Sequence, residues 1–180
     1  MFIDGSQGEG IYLVRHPGQC MVTHRPHVVQ EYIDRPLLIN GLKFDLRIYV
    51  LILNLDPLQI LLYDEGLVRF ATVDYRAPSP DNLHQTLMHL TNYSLNKRSA
   101  GYKHAVDSQQ TDGSKRKLSA VWKQLVDLFG SEAIERTKLG ITQLINKTIF
   151  AILPELRVEY HVEFPAEKKQ QTSCFQVKYR

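Results

Sequence analysis

From Lys43 to Val50 the chain alternates without a break: Lys43, Asp45, Arg47 and Tyr49 are polar or ionisable, while Phe44, Leu46, Ile48 and Val50 are apolar. A period of two is that of a strand with one buried face. The segment from Lys43 to Leu55 therefore predicts the principal strand of a sheet. Asp56-Pro57 follows as a turn signal, Gln59 to Tyr63 reads as a partner strand, and Asp64-Glu65-Gly66 closes a further turn before Leu67 to Ala71. The expectation is an antiparallel meander. Upstream, Gly5-Ser6-Gln7-Gly8-Glu9-Gly10 leads into Ile11-Tyr12-Leu13-Val14, a glycine-rich turn entering a short strand. Val28 to Ile33 is a short apolar-rich stretch, and Pro36 and Asn40-Gly41 mark turns before the main strand.

Beyond the strands the period changes. Pro78 to Gly113 is rich in Pro, Asn, Ser, Asp and Gln, which predicts an irregular segment with short local structure. Leu118, Val121, Trp122, Leu125, Leu128 and Phe129 then recur at helical spacing until Gly130. Ser131 can cap a second helix whose apolar face runs through Ile134, Ile141, Leu144, Ile145, Thr148, Ile149 and Ile152 until Pro154. The two helices are expected to pair, and Glu155 to Thr172 reads as loop. The class is α+β, an antiparallel sheet with a helical pair. At 180 residues and 43% hydrophobic, the chain is expected to form a single domain over residues 1–180.

Several functions are set aside by simple counts. Lys plus Arg is 22 against 19 for Asp plus Glu, and the resulting +3 does not call for nucleic acid. The longest apolar run, Ile48 to Leu53, is far short of a membrane span. Met1 to Gly5 carries no secretory signal, so the cytosol is the expected compartment. Cys20 and Cys174 supply neither a disulfide framework nor a zinc spacing.

The alternation also carries chemistry. Lys43, Asp45 and Arg47 share one strand face, and a plus, minus, plus row is suited to a polyanion because each charge stays compensated. A solvated sheet face with weak surface ion pairs would read the same way. Gly5, Gly8 and Gly10 would let backbone N–H groups approach phosphate, although a hairpin turn needs the same glycines. Arg69 could clamp a carboxylate or simply lie on the surface. His89-Leu90-Thr91-Asn92-Tyr93-Ser94 offers a row of hydrogen-bonding groups that a turn or helix cap would also use.

The order of these segments resembles the tubulin tyrosine ligase-like family of ATP-grasp ligases. The resemblance is carried by the glycine loop, Gln30-Glu31-Tyr32-Ile33, Lys43 to Arg47, Tyr63 to Thr72 and His89 to Ser94, and covers about residues 5–152. Gly113-Ser114-Lys115-Arg116-Lys117-Leu118-Ser119 looks like the polyglutamylase branch. The resemblance implies a partial ATP-grasp-like domain. It implies ATP-dependent addition of L-glutamate to glutamate side chains of the acidic tubulin tails through an acyl-phosphate. It also implies microtubules as partner, neither nucleic acid nor membrane, and a cytoplasmic, cytoskeletal place that includes the cilium or basal body.

Carried over residue by residue, Gln7 and Gly8 would sit in the loop over the phosphates, and Gln30, Glu31, Tyr32 and Ile33 would form the hinge whose backbone meets adenine. Lys43 and Asp45 would contact the nucleotide, and Arg47, as the catalytic residue, would support the phosphates. Thr91 and Asn92 would contact ATP again. Arg69 would hold the incoming glutamate, with Tyr93, Ser94 and Lys115 completing the amino-acid pocket. Lys115, Arg116 and Lys117 form a basic cluster that could attract an acidic tail or be merely solvated.

The pattern departs from the family at two places. Asp4 precedes the glycine loop where the family has a lysine that reaches the ATP phosphates, and the family's magnesium-holding Asp and Glu-x-Asn are not found before Arg180. The expectation is of a partial domain, truncated at both ends, that alone binds ATP weakly or not at all and shows no glutamylation. The alternative is a short, non-catalytic isoform that acts as a tubulin-binding or regulatory module.

Overall fold

The alternating segment forms one long strand in the structure, a computed structural model that describes residues 10–20, 28–104 and 112–163. Strand β1 (Leu38–Ile39) turns through Asn40 and Gly41 into β2 (Leu42–Leu55), and Asp56-Pro57 joins β2 to β3 (Leu58–Phe70). The Asn40-Gly41 turn has φ of 52° and 76°, the left-handed pair that a two-residue hairpin demands and that Asn and Gly accept most readily. Helices α1 (Thr86–His89) and α2 (Tyr93–Asn96) are single turns within the polar segment, followed by β4 (Lys115–Lys117), α3 (Leu118–Phe129) and α4 (Ser131–Glu163). The sheet order is β1-β2-β3-β4, with β4 antiparallel to β3 through Val68 opposite Arg116. The α+β class, with an antiparallel sheet and two main helices, is the expected one.

The chain divides into two compact units, Met1–Arg47 with Leu67–Ala120, and Ile48–Gly66 with Val121–Arg180. In the first, Ile39, Val68, Phe70, Ala71, Met88 and Leu118 are the buried apolar side chains among the described residues, with Phe44 tilted against Phe70 at 5.5 Å between ring centroids. In the second the buried set is Leu55, Val121, Leu125, Ile134 and Ile149. There, Lys138 of α4 lies 5.8 Å from the centre of the Trp122 ring of α3.

Four details differ from expectation. Ile11 to Val14 forms no strand. The turn expected at Asp64-Glu65-Gly66 is absent, because β3 continues through it. Glu65 accepts the Gly66 N–H on its own carboxylate at 2.9 Å, and pairing along the sheet outweighs a local turn preference. Helix α4 does not stop at Pro154 but runs to Glu163. Proline removes one helical hydrogen bond, and contacts made from beyond it restrain the continuation: Arg157 Nε donates to the Leu55 carbonyl at 3.1 Å, and His161 approaches Asp56 at 3.7 Å. Lastly, Ser131 is the first residue of α4 rather than its cap. The junction is made by Gly130, whose φ of 82° lets its N–H reach Val126 while its carbonyl accepts the Ile134 N–H. Much of each helix's apolar stripe is exposed, including Leu128, Phe129, Leu144 and Ile152. No described helix is long and apolar enough to cross a membrane.

Candidate functional site

The ionisable face of β2 lies in the first unit, where each member meets a different environment. Lys43 is half-buried. Its Nζ donates to the Tyr32 hydroxyl at 3.0 Å and to the His89 carbonyl at 2.9 Å, and it sits 4.4 Å from the centre of the Tyr32 ring. An ammonium has three N–H donors, so one remains without a partner among the described residues. Burial lowers the Lys43 pKa, and the neighbouring Asp45 carboxylate partly opposes that shift.

Asp45, two positions on, accepts from Arg69 of β3 in a two-pronged pair, Nε to Oδ1 at 2.9 Å and Nη2 to Oδ2 at 2.6 Å. The expected nucleotide contact and the expected glutamate clamp are thus engaged with each other. An incoming carboxylate would share the guanidinium with Asp45. Arg47 is exposed and makes neither hydrogen bond nor ion pair among the described residues.

His89 is almost wholly buried, at 1% exposure, between the edges of Tyr32 and Tyr75. Its Nε2 is 3.2 Å from the Asn82 carbonyl and its Nδ1 is 3.1 Å from the Tyr32 hydroxyl. Burial lowers its pKa; the Asn82 hydrogen bond opposes this and the Lys43 charge reinforces it. Burial likewise raises the Tyr32 phenol, followed by the effects of Tyr75 and Asp34. The Tyr75 hydroxyl itself donates to the Asp34 carbonyl at 2.6 Å.

The Thr91-Asn92 step follows immediately. Thr91 is buried and Asn92 half-buried, and Asn96 holds the segment in shape. Asn96 Oδ1 accepts from both the N–H and the hydroxyl of Thr72, and its Nδ2 donates to the carbonyls of Leu90 and Asn92. Tyr93 is exposed, with Lys97 Nζ at 5.4 Å and Lys115 Nζ at 6.0 Å from its ring centre, and Ser94 is half-buried beside it in α2. The basic cluster is split by the strand period of β4: Lys115 and Lys117 are exposed, whereas Arg116 is buried, 3.8 Å from the centre of the Phe70 ring with Nε on the Gly113 carbonyl at 2.8 Å. Burial lowers its pKa against the pull of Asp112. Arg116 is therefore a core residue of this unit and not a member of a surface patch.

Gln30, Glu31 and Ile33 are exposed in a stretch outside helix and sheet, so their peptide groups are not committed to a ladder. Gln7 and Gly8 lie outside the described residues. Sequence reasoning missed the Tyr32 hydroxyl as the lysine's partner, the burial of His89 and of Arg116, and Asn96 altogether. The apolar neighbours Met88 and Leu90 around His89, and the alternation Lys115-Arg116-Lys117, were the available signals. Among the described residues no group of three or more His, Cys, Asp or Glu side chains is placed to hold a metal ion.

Residues 3–177 match the tubulin-tyrosine ligase family. The chain is 46% identical over 179 residues to tubulin polyglutamylase TTLL11 of Mus musculus, covering 96% of this chain and 24% of that protein. It is 42% identical to tubulin polyglutamylase TTLL6 of Homo sapiens, over 96% of this chain and 18% of the relative, and 41% identical to tubulin polyglutamylase ttll-11 of Caenorhabditis elegans, over 97% and 24%. The chain spans about a quarter or less of the length of these relatives. With nearly its whole length matched, the chain belongs to the tubulin-tyrosine ligase family.

Proposed function

We propose that this chain forms the nucleotide- and amino-acid-contacting part of an ATP-dependent ligase that joins L-glutamate to glutamate side chains of tubulin tails. The names of the relatives support the substrate, and the setting of Lys43 supports the nucleotide. The single observation that carries the reading is that Lys43 is held by two groups from elsewhere in the chain while one N–H and its positive charge remain to be used. A surface lysine would have no need of such restraint, whereas an anion site gains from a cation fixed in advance.

In this reading ATP contributes a phosphoryl group that activates the acceptor carboxylate as an acyl phosphate, which the amine of L-glutamate displaces to leave an amide. Lys43 neutralises phosphate charge, with Arg47, free of other partners among the described residues, adding a second cation. The backbone of Gln30 to Ile33 meets the adenine, and Thr91 and Asn92 contact the nucleotide from the other side. Arg69, oriented by Asp45, orients the glutamate carboxylate, with Tyr93, Ser94 and Lys115 around it. Magnesium would need oxygen ligands, and the described residues do not by themselves make a set for it. The cytoskeleton is the corresponding place of action.

The test is photolabelling of the purified chain with 8-azido-ATP, competed by unlabelled ATP. Weak labelling, competed only by ATP at millimolar concentration or above, is expected of a chain that spans part of its relatives, and Lys43→Met should lower it about tenfold, the scale of one charge-assisted contact. Labelling that ATP does not compete, or that Lys43→Met leaves unchanged, would overturn the reading.

A further inference from the structure

The Lys43 ammonium and the Asn82 carbonyl between them constrain the donors and acceptors around Lys43. An ammonium donates and never accepts, so the Tyr32 oxygen must accept from Lys43 at 3.0 Å. The Tyr32 proton must then point elsewhere, and both His89 Nδ1, at 3.1 Å, and the Tyr75 hydroxyl oxygen are in reach. A carbonyl only accepts, so Asn82 at 3.2 Å places the neutral imidazole's proton on Nε2, and Nδ1, then unprotonated, is the ring acceptor facing the Tyr32 hydroxyl. The same His89 supplies its carbonyl as the second acceptor for Lys43 at 2.9 Å. The result is a closed triangle of Lys43, Tyr32 and His89, anchored at Asn82 and walled by Tyr75.

We propose that Tyr32 and His89 are positioning residues that fix the Lys43 ammonium through this triangle, so that its remaining N–H is aimed at a phosphate of a bound nucleoside triphosphate. This rests on the nucleotide reading above and adds to it a specific use of two side chains. Tyr32 acts through its hydroxyl, in addition to any contact of its backbone, and His89 acts as the neutral Nε2–H tautomer. The charged and titratable groups facing the triangle are Asp45, Tyr75 and Asp34.

The experiment is a double-mutant cycle on the full chain, with ATP affinity as one readout and the rate of Lys43 acylation by an N-hydroxysuccinimide ester, followed by peptide mass spectrometry without nucleotide, as the other. Tyr32→Phe keeps the ring and removes the hydroxyl. It should weaken ATP binding about tenfold alone and add nothing in a Lys43→Met background, since it acts only through the amine. Acylation of Lys43 should rise about threefold or more in Tyr32→Phe, because an N–H is released and the side chain gains freedom. His89→Asn presents an amide oxygen near the place of Nδ1 and should restore both readouts, while His89→Leu should not. Circular dichroism checks that each variant folds, and Tyr32→Phe keeps the test decisive if His89→Leu does not. Unchanged Lys43 acylation in Tyr32→Phe, or an additive loss of ATP affinity in the double variant, overturns the positioning role. If ATP fails to bind the parent chain while Tyr32→Phe still accelerates acylation, the nucleotide reading falls and the restraint on Lys43 stands.

Discussion

The two units bury different kinds of residue. Every buried polar or charged side chain among the described residues, Asn82, His89, Thr91, Asn96 and Arg116, lies in the first unit, whereas the buried side chains described in the second are all apolar, Leu55, Val121, Leu125, Ile134 and Ile149. The difference concerns specificity of shape. Apolar contacts are non-directional and tolerate small shifts. A buried amide or imidazole must find each partner at a set distance and angle, or its burial costs more than it returns. The first unit therefore has the more uniquely determined interior, and it is also where the candidate site is built. The second unit's interior is closed by apolar burial, with its polar contacts at exposed or half-buried positions.

The sharpest way to break this contrast is to remove one hub from each unit. Asn96→Ala takes away an acceptor for the Thr72 N–H and hydroxyl and a donor to the Leu90 and Asn92 carbonyls. Asn96 is buried and its partners half-buried, and four hydrogen bonds at about 1 kcal/mol each put the loss at about 4 kcal/mol. Leu125→Ala leaves an apolar cavity worth about 3 kcal/mol. Urea unfolding gives both values. Equal or reversed losses would mean that hydrogen bonding does not set the first unit apart. The contrast is sharpened further if Asn96→Ala also weakens ATP labelling while Leu125→Ala leaves it intact.

What could be read from the residues, and what could not, divides by distance along the chain. The strand through Lys43 to Leu55, the turn at Asn40-Gly41, and α3 up to Gly130 follow from local period and local backbone preference. The common face of Lys43, Asp45 and Arg47 follows from the same period. The hydrogen-bond partners do not. Lys43 meets Tyr32 from eleven residues away and the His89 carbonyl from 46 away, and Asp45 meets Arg69 from 24 away. No local rule pairs these groups. The continuous β3 and the extension of α4 past Pro154 belong to the same class, since in each the sheet or a distant turn outweighs a local stop signal.

A smaller effect distinguishes the units by pH. Burial, reinforced by the Lys43 charge, makes folded His89 a weaker base than in the unfolded chain, despite the Asn82 hydrogen bond. Below the unfolded value of about 6.5 the unfolded chain takes up a proton that the folded chain resists, so stability falls as pH is lowered through that range. The full contribution is present above it. His89→Asn, which has no proton to gain, should show a shallower fall between pH 7 and 5 in urea-unfolding midpoints. An identical slope would show that His89 is not held neutral, and would remove the basis for assigning its tautomer.

The smallest expected effect lies in the second unit, at the end of α4. There Pro154 deprives the helix of one backbone hydrogen bond. Arg157 Nε on the Leu55 carbonyl, with His161 near Asp56 and its Nδ1 2.6 Å from the Arg157 carbonyl, holds the next two turns against the β2–β3 connection. These contacts are exposed or half-buried, so Arg157→Ala should cost only about 0.5 to 1 kcal/mol. Its signature is local: hydrogen exchange should accelerate for amides between residues 155 and 163 while those of α3 and of Ile134 to Ile149 keep their protection. If the whole of α4 lost protection together, the final turns would be coupled to the apolar core. The second unit would then share the long-range specification that the first unit draws from its buried polar groups.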